Sequence, residues 1–111
     1  PPDDRPLTRP GIHVFRFWEG VRDGDCATVA QLSARAWETW ERDDAYTSEP
    51  MGLFRYDQPG APEGRMLLLT WYDNLTSWER SRTPHPEAAA NFQRRLALSR
   101  SAIAYATRLI A

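Results

Sequence analysis

Apolar positions along this chain switch between a period of two and a period of three to four, and the order of the switches predicts the fold. Residues 11–19 read as a first strand, with His13, Phe15 and Phe17 on one face and Ile12, Val14, Arg16 and Trp18 on the other. Both faces are largely apolar, so neither is plainly the wet side. Residues 20–24 connect to a helix predicted over 26–42, for which Asp25 is a suitable N-cap. Its stripe is Val29, Leu32, Ser33, Ala36, Trp37 and Trp40, and the two tryptophans read as core anchors. Residues 43–50 form a polar connection. A second strand follows over 51–57, with Met51, Leu53 and Arg55 opposite Gly52, Phe54 and Tyr56. Residues 58–64 hold two prolines and two glycines and read as a hairpin loop, so the strand over 65–72 should pair antiparallel with the second.

The rest of the chain is organised around residues 65–84. Its strand ends in Trp71 and Tyr72; Asp73 and Asn74 break it, and Thr76 and Glu79 have capping-box spacing. A short helix then carries Trp78, Arg80 and Arg82 to the rim of whatever the strand lines. Thr83-Pro84-His85-Pro86 forces a break. A helix over 87–100 turns Ala88, Ala89, Phe92 and Leu96 inward and Arg94 and Arg95 toward its edge, and residues 103–110 make a fourth strand. The order β-α-β-β-α-β is the ferredoxin-like plan, an α+β domain with helices on one face of a four-stranded antiparallel sheet. The other sheet face is mostly apolar whichever way each strand turns. Left bare, it would exceed the roughly 300–600 Å² patch that monomers tolerate, which predicts a homodimer formed sheet to sheet.

Composition narrows the classes. At 111 residues the chain fits one domain, and 41% hydrophobic with 26% charged residues is ordinary for a globular protein. Residues 1–10, with four prolines, read as an extended N-terminal tail or linker before a domain over 11–111. A start at Pro1 and that linker character would suit the second half of a tandem protein. No apolar run has the length of a membrane span, and no signal-peptide pattern opens the chain. Cys26 is the single cysteine, so an internal disulfide is excluded and a reducing, cytoplasmic location is expected. All fourteen basic residues are arginine; without lysine, Schiff-base chemistry, lysine-attached pyridoxal phosphate and the P-loop are excluded. Six arginines and one acid after residue 79 contrast with eight arginines and fourteen acids before it. That asymmetry reads either as an arginine-lined site for a carboxylate or phosphate or as pairing between the two parts. A chain that is not basic overall and carries no recognition motif gives no support for nucleic-acid binding.

The run Val14-Phe15-Arg16-Phe17-Trp18 resembles the Glu-Leu-Arg-x-Tyr of NIPSNAP-type proteins, with Val14 departing from the acid and Trp18 replacing one aromatic by another. Tyr72-Asp73-Asn74-Leu75 and Glu79-Arg80-Ser81-Arg82 echo that family's strand-to-helix run, while its His and Trp fall on Leu68 and Thr70. The resemblance covers about residues 11–111. It implies membership of the dimeric α/β-barrel superfamily, alongside the antibiotic-biosynthesis monooxygenases and haem-degrading monooxygenases. It also implies a small-molecule pocket between sheet and helices. It names no reaction, since many relatives have none established.

Candidates for that pocket are His13 or Arg16, depending on which strand face turns inward, with Trp18, Tyr56, Trp71, Tyr72, Trp78, Arg80, Arg82 and His85 as ligand contacts. An imidazole at His13 can move a proton near neutral pH, but a buried, hydrogen-bonded structural histidine is the simpler reading. His85 between two prolines reads as an exposed turn residue, and the two histidines have no metal-ligand spacing. Cys26 reads as a first-turn helix residue. Three functions stay open. The first is binding or transformation of a small apolar or aromatic ligand with no cofactor, or with O₂ alone. The second is haem binding through His13 or His85, with or without oxidative cleavage. The third is a non-catalytic interaction module in which the tryptophans are simply core.

Overall fold

The computed structural model describes residues 9–39, 47–56, 63–83 and 85–110. In chain order these form β1 (Ile12–Arg22), a 3₁₀ turn (Asp23–Asp25), α1 (Cys26–Thr39), β2 (Ser48–Tyr56), β3 (Glu63–Tyr72), α2 (Leu75–Ser81), α3 (Pro86–Ala97) and β4 (Ser101–Arg108). The strands make one antiparallel sheet in the order β2-β3-β1-β4. This is the expected α+β, ferredoxin-like architecture. The two longest strands, β1 and β3, take the two inner places. There an apolar side chain on either face can be covered, as continuous apolar runs require.

Register decides the faces. His13 stands opposite Trp71 and Thr107, Phe15 opposite Leu69 and Tyr105, and Phe17 opposite Leu67 and Ile103. Directly opposed residues share a face, so these side chains lie together, away from the helices. Val14, Arg16 and Trp18, with Thr70, Leu68 and Met66, lie on the helix side. There Trp18, Val21, Cys26, Val29, Met66 and Leu68 form the buried core, with Trp37, Leu53, Leu98 and Ala102 packed on it. Each large side chain so buried contributes roughly 1.5–3 kcal/mol relative to exposure. On the opposite face Phe54, Tyr56, Ile103 and Tyr105 are more than half exposed, and Tyr105 meets Phe17 edge to face at 6.1 Å.

Several boundaries depart from the expectation, each for a local reason. β1 does not stop at Glu19. Gly20, at φ +67°, sits in a bulge between Trp18 and Val21, and pairing resumes with Val21 opposite Gly64. Arg100 packs over this glycine so closely that a Cβ would lie 2.3 Å from its Nε. β2 begins at Ser48, inside the stretch read as a polar connection, because Ser48, Glu49 and Pro50 already pair with the end of β3. At the strand-to-helix turn the cap is Asn74 and not Thr76: Asn74 Oδ1 accepts from the Ser77 N–H at 2.9 Å. α3 ends at Ala97, where the Leu98 N–H turns back to the carbonyls of Arg95 and Leu96, so β4 starts two residues earlier than expected. Trp40 and the rest of the predicted helix end, the tip of the hairpin loop and residues 1–8 of the tail lie outside the described residues.

Residues 9–11 are held against the far end of the sheet. Trp71 Nε1 donates to the Pro10 carbonyl at 2.9 Å, the Arg9 guanidinium lies 3.4 Å from the centre of the Trp71 ring, and Arg9 pairs with Glu49. Gly11 makes the approach with φ +132°; a Cβ there would come within 2.5 Å of Trp71 Nε1 and the Tyr72 carbonyl. Among the described residues no helix is long and apolar enough to cross a membrane.

Candidate functional site

The side chains that fill the layer between sheet and helices around Trp18 and Met66 give out toward the other end of the sheet. A cavity of about 350 Å³ opens there. Its floor is the helix side of the two inner strands: Val14 and Arg16 from β1, and Leu68, Thr70 and Tyr72 from β3. One wall is α3, through Ala88, Ala89, Phe92, Gln93 and Arg95; Trp78, Ser81 and Arg82 come from α2 and the turn after it, and Ala36 from α1. The space exists because α3 presents alanines at 88 and 89 where larger side chains would have met the strands.

Sequence periodicity places most of this wall. Ala88, Asn91, Phe92 and Arg95 recur at i, i+3, i+4 and i+7, one stripe of a helix. Two of its four members are polar, and both are buried: Asn91 is 3% exposed and Arg95 4%. Each finds a partner across the seam with α1. Asn91 Nδ2 donates to the Leu32 carbonyl at 3.1 Å, and Arg95 Nη1 donates to Ser33 Oγ at 3.1 Å. The expectation that Arg95 lies at the helix edge is therefore corrected. Its charge had argued for the surface, while its position on the stripe, the one signal that could have found it, argued for the interior.

Each arginine in the cavity wall stands over an aromatic ring. Arg16 lies 4.8 Å from the Phe92 centroid, Arg82 5.0 Å from that of Trp78 and Arg95 5.7 Å from that of Trp18. The described lining residues include three arginines and neither Asp nor Glu. With the hydroxyls of Thr70 and Tyr72 and the amide of Gln93, the cavity sets polar groups beside the apolar side chains of Val14, Leu68, Trp78 and Phe92. That pattern suits small-molecule binding.

Of the residues proposed from sequence, Arg16, Tyr72, Trp78 and Arg82 come together around the cavity. The others do not line it. Trp18 is fully buried beneath it in the core, and Tyr56 is exposed near the end of β2 on the open sheet face. Trp71 lies under Arg9 on that same face. Arg80 is exposed on α2, and His85 caps α3, its Nδ1 accepting from the Glu87 N–H at 3.1 Å. His13 is buried at 5% exposure, but on the sheet face away from the cavity. Among the described residues its Nε2 has no hydrogen-bond partner. Its neighbour Thr107 instead bonds the His13 carbonyl, at 2.6 Å. Leu68 and Thr70, where the sequence resemblance implied a His and a Trp in other proteins, line the cavity. A haem held in this space would need an axial ligand, and neither histidine is among the described residues that face it. The described residues thus do not fit haem ligated through His13 or His85. Cys26 is buried at the start of α1, with its thiol donating toward the Arg22 carbonyl at 3.5 Å.

No protein-family model matches the sequence, and no curated protein is detectably similar to it. Among solved structures, the chain is similar to a provisionally assigned antibiotic biosynthesis monooxygenase from Deinococcus radiodurans. The TM-score is 0.63 and the identity 13%, over 90% of this chain and 93% of the other. A likeness at that identity establishes the shared fold.

Proposed function

We propose that this protein binds a small, largely apolar aromatic or polyketide-like molecule in the cavity between the sheet and α2–α3. The observation that carries the reading is the cavity itself. A domain whose tryptophans were only core would close this space, and about 350 Å³ falls in the range of ligand pockets. Arg16, Tyr72, Trp78 and Arg82 are the proposed contacts. The motif around Arg16 and the turn after Tyr72 support a NIPSNAP-like place within the dimeric α/β-barrel proteins. Oxygenation without a bound cofactor is the activity to assay on any ligand found, since the structural neighbour is described as a monooxygenase.

The open sheet face supports a homodimer as the working unit. Covering about 800 Å² per partner would gain roughly 20 kcal/mol per subunit at 25 cal/mol/Å². An association cost of about 4–15 kcal/mol leaves that pairing favourable.

The binding reading is tested by thermal shift and calorimetry with a panel of bicyclic aromatic acids, phenols and quinones. A true ligand at a hundred times its Kd should stabilise the protein by about 2.7 kcal/mol. Trp78→Ala, and Ala88→Leu to fill the cavity, should remove the effect while the fold persists by circular dichroism. A ligand whose effect survives both substitutions, or a panel without any stabilising member, would refute the site.

A further inference from the structure

We infer that Arg95 is the inner anchor of this cavity, and that the ligand it takes is an aromatic anion whose charged group points inward, to the seam between α1 and α3. The inference rests on the binding reading above and adds to it the charge and the orientation of the ligand.

The three arginines of the wall differ in depth. Arg82 is exposed, Arg16 is half-buried and Arg95 is almost wholly buried, so cationic groups run from the mouth to the interior. Arg95 is also fixed from two directions. Ser33 Oγ accepts from its Nη1, and the Trp18 ring lies 5.7 Å from its Cζ; both partners are fully buried. A guanidinium held in place loses little freedom when an anion arrives, and its planar fork matches the two oxygens of a carboxylate. The effective dielectric is lower inside the protein than at its surface. An ion pair at Arg95 is therefore stronger, and less screened by salt, than one at Arg82. The apolar floor of Val14 and Leu68 and the ring of Phe92 would then cover the ring system of the ligand. A carboxylate, phenolate or enolate on a fused aromatic skeleton meets both requirements; a neutral hydrocarbon of the same shape meets one.

A matched pair of probes, naphthoic acid and its neutral isostere naphthamide, tests this by titration calorimetry on the full chain at neutral pH. The wild-type protein should bind the acid about 10–100-fold more tightly than the amide, the range expected of one charge-assisted contact. Arg95→Met should abolish that preference and leave amide binding in place. Should Arg95→Met fail to fold, Ser33→Ala, which frees the guanidinium to move, should weaken the acid several-fold and the amide not at all. The preference should also survive high salt, whereas one set by Arg82 at the mouth would fade. Equal binding of acid and amide would overturn the anchor and leave the cavity reading standing. Acid preference untouched by both variants would overturn Arg95 as its source. Binding of neither probe would take down the inference together with the reading it rests on.

Discussion

Ser33→Ala removes one oxygen atom from the best-buried side-chain contact between the two long helices. Ser33 is 0% exposed and Arg95 4%, and the bond between them at 3.1 Å ties α3 to α1 across 62 residues of chain. A hydrogen bond to a charged group is worth about 1.5–3 kcal/mol. Alanine recovers about 0.5 kcal/mol of helix propensity over serine, so the net loss should be about 1–2.5 kcal/mol. In a domain of this size that lowers Tm by roughly 5–15 °C. The clean assay is urea unfolding followed by tryptophan fluorescence at one fixed protein concentration. The midpoint should fall while the slope stays unchanged. A cycle with Arg95→Met then isolates the pair, with a coupling of about 1–3 kcal/mol expected. If Ser33→Ala leaves the midpoint within error, or the cycle shows no coupling, the seam is not held by this bond. The fixed orientation given to Arg95 would then fall with it.

Three further outcomes follow from the fold. Gly11→Ala forces a side chain into a φ of +132° and against Trp71. It should cost about 1–3 kcal/mol by thermal melt, and wild-type stability would refute the pinning of residues 9–11. Asn74→Ala should cost about 1 kcal/mol, whereas Thr76→Ala should cost nothing measurable; the reverse order in urea midpoints would restore Thr76 as the cap. Phe17→Arg and Ile103→Asp, both on the open sheet face, should each shift sedimentation from dimer to monomer without changing the circular dichroism spectrum. A wild-type protein that sediments as a monomer at every concentration would defeat that proposal.

Much of the fold was legible in the residues because the signals are local. Alternation in residues 12–18, the stripe from Val29 to Trp37 and the aromatic end of β3 each needed only their own neighbours to form the right element. The turn after Tyr72 was placed correctly and its cap was not. Asn74 and Thr76 are both good N-caps, and the choice depends on which residue leaves the strand in an extended conformation. The bulge at Gly20 was hidden for a related reason: a glycine at a strand end and a glycine inside a bulged strand read alike until the partner strand is known.

The site was half legible. Arg16 and His13 were equal candidates because both faces of β1 are apolar, and hydrophobicity cannot choose between two oily sides. Pairing with β3 and β4 made that choice, turning Arg16 toward the helices and His13 away from them. Arg95 lay on the inward stripe of α3 by position but looked like a surface residue by charge. Only the meeting of α3 with α1 and β1, both distant from it in sequence, supplied Ser33 and Trp18 to receive it. The sequence by itself determined the elements, their order and the sheet they had to build, because those follow from short-range sterics and the burial of apolar side chains. Which polar groups look into the cavity was left to the tertiary structure, because a buried charge is tolerated only where partners from elsewhere in the chain converge on it.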